Sequence, residues 1–304
     1  MSRSTTYVKG LIFALLAGIF WGITGPLGEY LFENKGIVPE WLVPYRMLVT
    51  GGVMLSALYM QKKGSIFDVW KSRKDAIQMI VYGIAGMLTV QYSFFAAVQA
   101  SNGGTATVLQ YTNPVMIVLY YTVFKRIRPT RREALSVFMV LAGIFLLSTN
   151  GNIHTLVITP LGLTMGLLCG FFSCLYAMLP KNLLIKYDST VVCGWGMLLG
   201  GFVLAVWKQP WRLGVQADME VWGLFAVLIV LGTIIPFTMS LSAIPVIGAM
   251  YANVLGSIEP VVASLLTFFI LGTTFGAFEI LGFVLIIATI LILTLQKQGE
   301  GEIE

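Results

Sequence analysis

Residues 245–271 read PVIGAMYANVLGSIEPVVASLLTFFIL, an apolar run interrupted near its middle by Gly256, Ser257, Glu259 and Pro260. A proline there removes a helical hydrogen bond. A carboxylate beside it in hydrocarbon costs about 3 kcal/mol unless it faces water, a partner or a solute, so the pair marks a functional position. The same grammar occurs once before, in residues 102–124, NGGTATVLQYTNPVMIVLYYTVF, where Asn113-Pro114 stands for Glu259-Pro260 at an offset of 146 (259 − 113). That offset also pairs Gly86 with Gly232, Ala97 with Ala243, Ala106 with Ala252 and Val115 with Val261. The chain reads as two copies of one unit.

The composition fits this reading. Of 304 residues 57% are hydrophobic and 11% charged, and the mean hydropathy is +0.86, so there are too few polar side chains to cover a soluble globule. The expectation is an all-α integral membrane protein. Runs long enough to cross a bilayer fall at 11–31, 41–60, 76–98, 102–124, 134–149, 160–180, 190–207, 221–242, 246–271 and 276–295. That makes ten transmembrane helices in two five-helix repeats, 10–149 and 160–295, with tails 1–9 and 296–304. Arg3 and Lys9 precede the first run as in a signal peptide, but the run is of spanning length without a small-residue cleavage site and is expected to be retained.

Basic residues set the orientation. Arg3, Lys9, Lys62, Lys63, Lys71, Arg73, Lys74, Lys125, Arg126, Arg128, Arg131, Arg132, Lys181, Lys186 and Lys297 fall on one side, against Lys35, Lys208 and Arg212 on the other. Both termini are therefore expected in the cytoplasm, at the plasma membrane. An odd number of spans per repeat makes the repeats inverted in topology. The net charge of +5 reports this asymmetry, and no nucleic-acid partner is implied. Cys169, Cys174 and Cys193 lie within apolar runs and are expected to be packing residues; His154, alone in a loop, is expected to be a surface residue. No metal site and no cofactor are implied.

Gly18 and Gly22 in the first run, followed by Gly25-Pro26, and Gly162, Gly166 and Gly170 in the sixth form small-residue stripes for close helix packing. Arg46 in the second run is expected to snorkel to the outer interface, with pairing to a substrate carboxylate or to Glu29 as the alternative. Polar groups on the fourth run, Gln110, Tyr111 and Asn113, and on the ninth, Asn253, Ser257 and Glu259, line a cavity or bond neighbouring helices. Trp21, Tyr92, Tyr111 and Tyr176 would add apolar or cation–π contacts. Pro114 and Pro260 are the helix breaks, and Glu259 either couples transport to protons or makes a helix–helix hydrogen bond.

The run Leu16-Ala17-Gly18-Ile19-Phe20-Trp21-Gly22, Arg46 in the second run, and Asn113-Pro114 and Glu259-Pro260 midway in the fourth and ninth together resemble the EamA family of the drug/metabolite transporter superfamily. The resemblance covers nearly the whole chain. It implies a ten-helix secondary transporter of amino acids, amines or related metabolites, with a central cavity lined by spans one, three, four, six, eight and nine. Many members carry Gly-Glu where this chain has Phe124-Lys125 and Gly272-Thr273.

Other classes fit less well. An enzyme would need clustered His, Cys, Asp or Glu in one span. A channel normally needs charge rings from a symmetric oligomer, whereas this chain is expected to work as a monomer. A pump would need a phosphate loop. Arg46 alone is too little base for a nucleotide sugar. The partners expected are a small-molecule substrate and the lipid bilayer.

Overall fold

The computed structural model describes residues 3–61, 65–124, 126, 128–152 and 157–301. His154 and, of the orientation residues, Lys62, Lys63 and Lys125 lie outside the described residues, as do the side chains of Arg3, Pro114, Asn253 and Lys297.

Among the described residues the chain is all helical. The helices are α1 (Arg3–Gly22), α2 (Thr24–Lys35), α3 (Pro39–Met60), α4 (Arg73–Val81), α5 (Thr89–Ala100), α6 (Gly103–Gln110), α7 (Asn113–Phe124) and α8 (Arg131–Thr149) in the first half. The second half holds α9 (Pro160–Met178), α10 (Lys181–Lys186), α11 (Ser189–Lys208), α12 (Met219–Ile229), α13 (Ile235–Gly256), α14 (Glu259–Leu271) and α15 (Ala277–Gly301). Wider π-turns, Tyr82–Leu88 and Val230–Ile234, join α4 to α5 and α12 to α13.

Seven helical stretches among the described residues are long and apolar enough to cross a membrane: Tyr7–Lys35, Pro39–Met60, Arg73–Ala100, Arg131–Thr149, Pro160–Lys186, Ser189–Lys208 and Met219–Ser240. The remaining expected runs are shorter or divided. The run 102–124 is split between α6 and α7, the run 246–271 between α13 and α14, and the last contributes the shorter apolar stretch Ala277–Thr289.

Proline chemistry places these breaks. A proline cannot donate to the carbonyl four residues before it. Pro26, Pro114 and Pro260 therefore release the carbonyls of Gly22, Gln110 and Gly256, and α1, α6 and α13 end at those three residues. Pro236 releases Gly232 inside the second π-turn, and the Thr24 hydroxyl donates to that carbonyl at 3.4 Å.

Packing is paired between halves. α1 lies along α13 and α14 while α9 lies along α5 and α6; α3 packs on α11, α8 on α15, and α6 on α14. The largest buried cluster, including Leu42, Met47, Phe95, Met197 and Leu228, fills the space among α3, α5, α11 and α12. Large apolar side chains also face outward, Phe138, Phe202 and Phe269 being 69%, 63% and 75% exposed. An outer surface so rich in exposed hydrophobics is suited to lipid.

α2 and α6 approach each other closely at two glycines, Gly25 and Gly103. A Cβ on Gly103 would stand 2.5 Å from both Gly25 C and Pro26 N. Backbone cannot move aside as a side-chain tip can, so Gly103→Ala is expected to cost about 1–3 kcal/mol through overpacking. Gly52→Ala, with nothing within 4 Å of the added carbon, serves as the control. Thermal unfolding of the two purified variants checks this, and equal melting temperatures would show that the contact yields.

Candidate functional site

The two split runs meet. The Tyr111 hydroxyl, in the turn after α6, lies 3.0 Å from Glu259 Oε2 and 3.3 Å from the Gly256 carbonyl, with either oxygen as acceptor. That carbonyl is the one Pro260 releases, so Tyr111 fills the gap in the α13–α14 ladder and contacts the carboxylate beside it. Glu259 is 9% exposed, and Ser257 and Pro260 are buried with it.

Helix α9 closes the other side. Cys169 Sγ lies 3.6 Å from Gln110 Oε1 and 3.7 Å from the Val90 carbonyl, and Cys174 Sγ is 3.2 Å from the Asn113 carbonyl. The small residues of α9 make this approach possible, since Gly166 faces Leu109 and Gly170 faces Thr112. On the partner side Gly18 faces Gly256 and Ile258, and Gly22 faces Val262 and the Glu259 carbonyl. Each glycine stripe thus seats a proline-broken turn.

The structure therefore joins the break that holds Gln110, Tyr111 and Asn113 to the break that holds Ser257 and Glu259 through the Tyr111–Glu259 contact. The described contacts of Trp21, Tyr176 and Tyr92 are with other groups. Trp21 meets Phe237 edge-on at 5.4 Å, and Tyr176 stacks on Tyr82 at 5.9 Å. Tyr92 donates to Glu40 Oε1 at 2.5 Å beneath Lys208, whose Nζ is 4.9 Å from its ring, so it belongs to an ion cluster where α3 begins and α11 ends.

Arg46 departs from expectation. It does not snorkel: it is 4% exposed, because its stem is held among α3, α5 and the second π-turn. Nε and Nη2 donate to Thr233 Oγ1 at 3.1 and 2.8 Å, Nη1 donates to Gln91 Oε1 at 3.1 Å, and the Phe95 ring lies 5.0 Å from Cζ. Nor does it pair with Glu29. That carboxylate, 2% exposed, accepts from Gly103 N–H at 2.6 Å, Thr267 Oγ1 at 3.3 Å and Thr273 Oγ1 at 3.5 Å. Glu29 thus sits at the positive end of α6 and ties it to α14. No spacing in the sequence pointed to Thr233; a lone threonine in an apolar stretch was its sole mark.

Ion pairs gather at helix ends. Lys35 bridges Asp218 at 3.3 Å and also Glu220, which accepts from the Tyr30 hydroxyl at 3.0 Å. The Val221 N–H, with Lys35 beside it, holds the Asp218 carboxyl below the usual carboxylate range. Elsewhere Asp75 accepts from Lys186 at 2.8 Å and from Tyr187 at 2.9 Å.

The EamA-like transporter family model matches residues 8–149 and 160–295. The chain is 31% identical over 292 residues to the Salmonella typhimurium protein called uncharacterized inner membrane transporter YicL, covering 95% of this chain and 96% of that one. It is 25% identical over 293 residues to the Bacillus subtilis uncharacterized transporter YyaM, covering 92% of each. A solved crystal structure superposes with a TM-score of 0.62 over 97% of this chain and 99% of that chain at 18% identity, a likeness of fold.

The Tyr111–Glu259 contact gives a stability signature. Tyr111→Phe leaves the buried carboxyl and the Gly256 carbonyl without their donor and is expected to cost about 1–3 kcal/mol. With Glu259→Met already in place, the same change should cost less, by a coupling of about 0.5–3 kcal/mol. Melting temperatures of the two single variants and the double variant test it; simple additivity would mean the contact carries no energy.

Proposed function

The chain belongs to the EamA-like transporter family, and from that premise we propose that it is a secondary active transporter moving amino acids, amines or related small metabolites across the plasma membrane by alternating access. In this reading it crosses the bilayer ten times, as a monomer with both termini in the cytoplasm, and its two five-helix units, 10–149 and 160–295, are inverted repeats. The two divided runs each make one crossing. The observation that carries the proposal is the meeting of the broken turns, where Tyr111 of one unit holds Glu259 of the other. Helix breaks at a shared midplane site are how such carriers expose backbone and polar groups to a solute.

The exchange of packing partners between halves supports the repeats: α1 on α13 answers α9 on α5, while α3 on α11 and α8 on α15 are pairs of equivalents. The offset of 146 also carries the first π-turn, 82–88, onto 228–234, overlapping the second at 230–234. On the face assigned to the exterior, Lys35 and Lys208 are paired with acids, which leaves less free positive charge there. Cysteines introduced at Asp68 and Gly214 discriminate the topology. A membrane-impermeant maleimide applied to intact cells should label Gly214→Cys and spare Asp68→Cys; the reverse pattern overturns the orientation.

Glu259 is the coupling group in this scheme. One hydroxyl hydrogen on Tyr111 has two acceptors. With Glu259 ionised the hydrogen serves the carboxylate; with Glu259 protonated the acid donates to the Tyr111 oxygen and the hydroxyl turns to Gly256. A change of protonation thus re-aims a bond between the two units. Reconstituted protein supplied with labelled amino acids and amines, with and without an imposed pH gradient, tests the function. Glu259→Gln, which keeps the shape and removes the titration, should retain exchange and lose gradient-driven accumulation. Accumulation with unaltered pH dependence would assign Glu259 to packing alone.

A further inference from the structure

Four charged side chains among the described residues are buried: Glu29, Arg46, Asp75 and Glu259. Asp75 is paired with Lys186, and the two glutamates can become neutral by taking a proton. A guanidinium cannot shed its charge in a protein, and no ion pair among the described residues includes Arg46. Its neighbours Thr233, Gln91 and Phe95 are neutral. The position of this cation is secured, and its charge is left unbalanced.

The hydrogen bonds of Arg46 do not use all of its donors. Three of the five guanidinium hydrogens are engaged, one from each nitrogen, which leaves one on Nη1 and one on Nη2 as donors for an anion. Thr233 is itself fixed, its hydroxyl donating to the Leu228 carbonyl at 3.2 Å across the π-turn. The shell orients the fork without occupying it. From Arg46 a continuous path of contacts reaches the broken turns: Gln91 adjoins Val90, whose carbonyl meets Cys169, which meets Gln110 beside Tyr111 and Glu259.

We infer that Arg46 is the anion-holding residue of the solute site and receives a carboxylate. This rests on the transport reading for the word solute alone; the carboxylate site can be tested without it. The full chain in proteoliposomes is treated with phenylglyoxal and adducts on Arg46 are followed by mass spectrometry, alone and with L-amino acids or benzoate, their matched amides, or inorganic phosphate. Arg46 should react, and a protecting carboxylate at ten times its Kd should slow the reaction about tenfold while its amide does not. Failure of Arg46 to react while exposed Arg212 does, equal protection by amides, or protection by phosphate alone would each overturn the assignment. Exchange by Arg46→Lys and Arg46→Gln proteoliposomes adds a functional arm. Both should lose exchange of the carboxylate-bearing solute, lysine because it keeps charge without the fork, while a decarboxylated amine still exchanges. Carboxylate-specific protection of Arg46 without wild-type exchange of any solute would leave the site standing and sink the transporter reading; exchange without protection would do the opposite.

Discussion

A backbone carbonyl in hydrocarbon must find its donor inside the protein, because no water is there to supply one. Each proline in an apolar run creates such a debt four residues upstream, and α1, α6 and α13 stop where Pro26, Pro114 and Pro260 place it. For Gly232 and Gly256 the donors are side-chain hydroxyls from the other half of the chain, Thr24 and Tyr111. The glycine stripes of α1 and α9 bring helices close enough to these turns for such bonds to form. Breaking a helix and joining the two halves are thus one structural act.

The buried charges divide by chemistry. Glu29 and Glu259 sit where hydroxyls and a helix N-terminus can serve either protonation state, and both tie elements of one half to the other. Arg46 has one state only, and the groups around it fix its orientation. Two acids that can change and one base that cannot are thus held in one interior.

The hydropathy of the sequence announced apolar helices, and the i−4 rule made the divisions at 110–113 and 256–259 readable from Pro114 and Pro260 alone. The π-turn at Tyr82–Leu88, which packs against α9 and α11, carries no proline and left no mark. The grouping of Gln110, Tyr111, Asn113, Ser257 and Glu259 was legible because these residues share helix faces within two repeated runs. Burial of Arg46 was not, because its acceptor Thr233 lies 187 residues away and no local spacing announces it. Tyr92 looked like its neighbours in composition, and its partners Glu40 and Lys208 come from distant helix ends.

The direction of the cross-half bonds bears on how the chain is made. Thr24 precedes Gly232 by 208 residues and Tyr111 precedes Gly256 by 145, and in both cases the hydroxyl is synthesised before the carbonyl that needs it. The Thr24 hydroxyl can wait in a nascent helix by bonding its own preceding turn, whereas a proline-released carbonyl has no such local refuge. Translation from the N-terminus therefore delivers each vacant acceptor into a membrane where its donor already stands, so that the first half serves as a template on which the second is threaded.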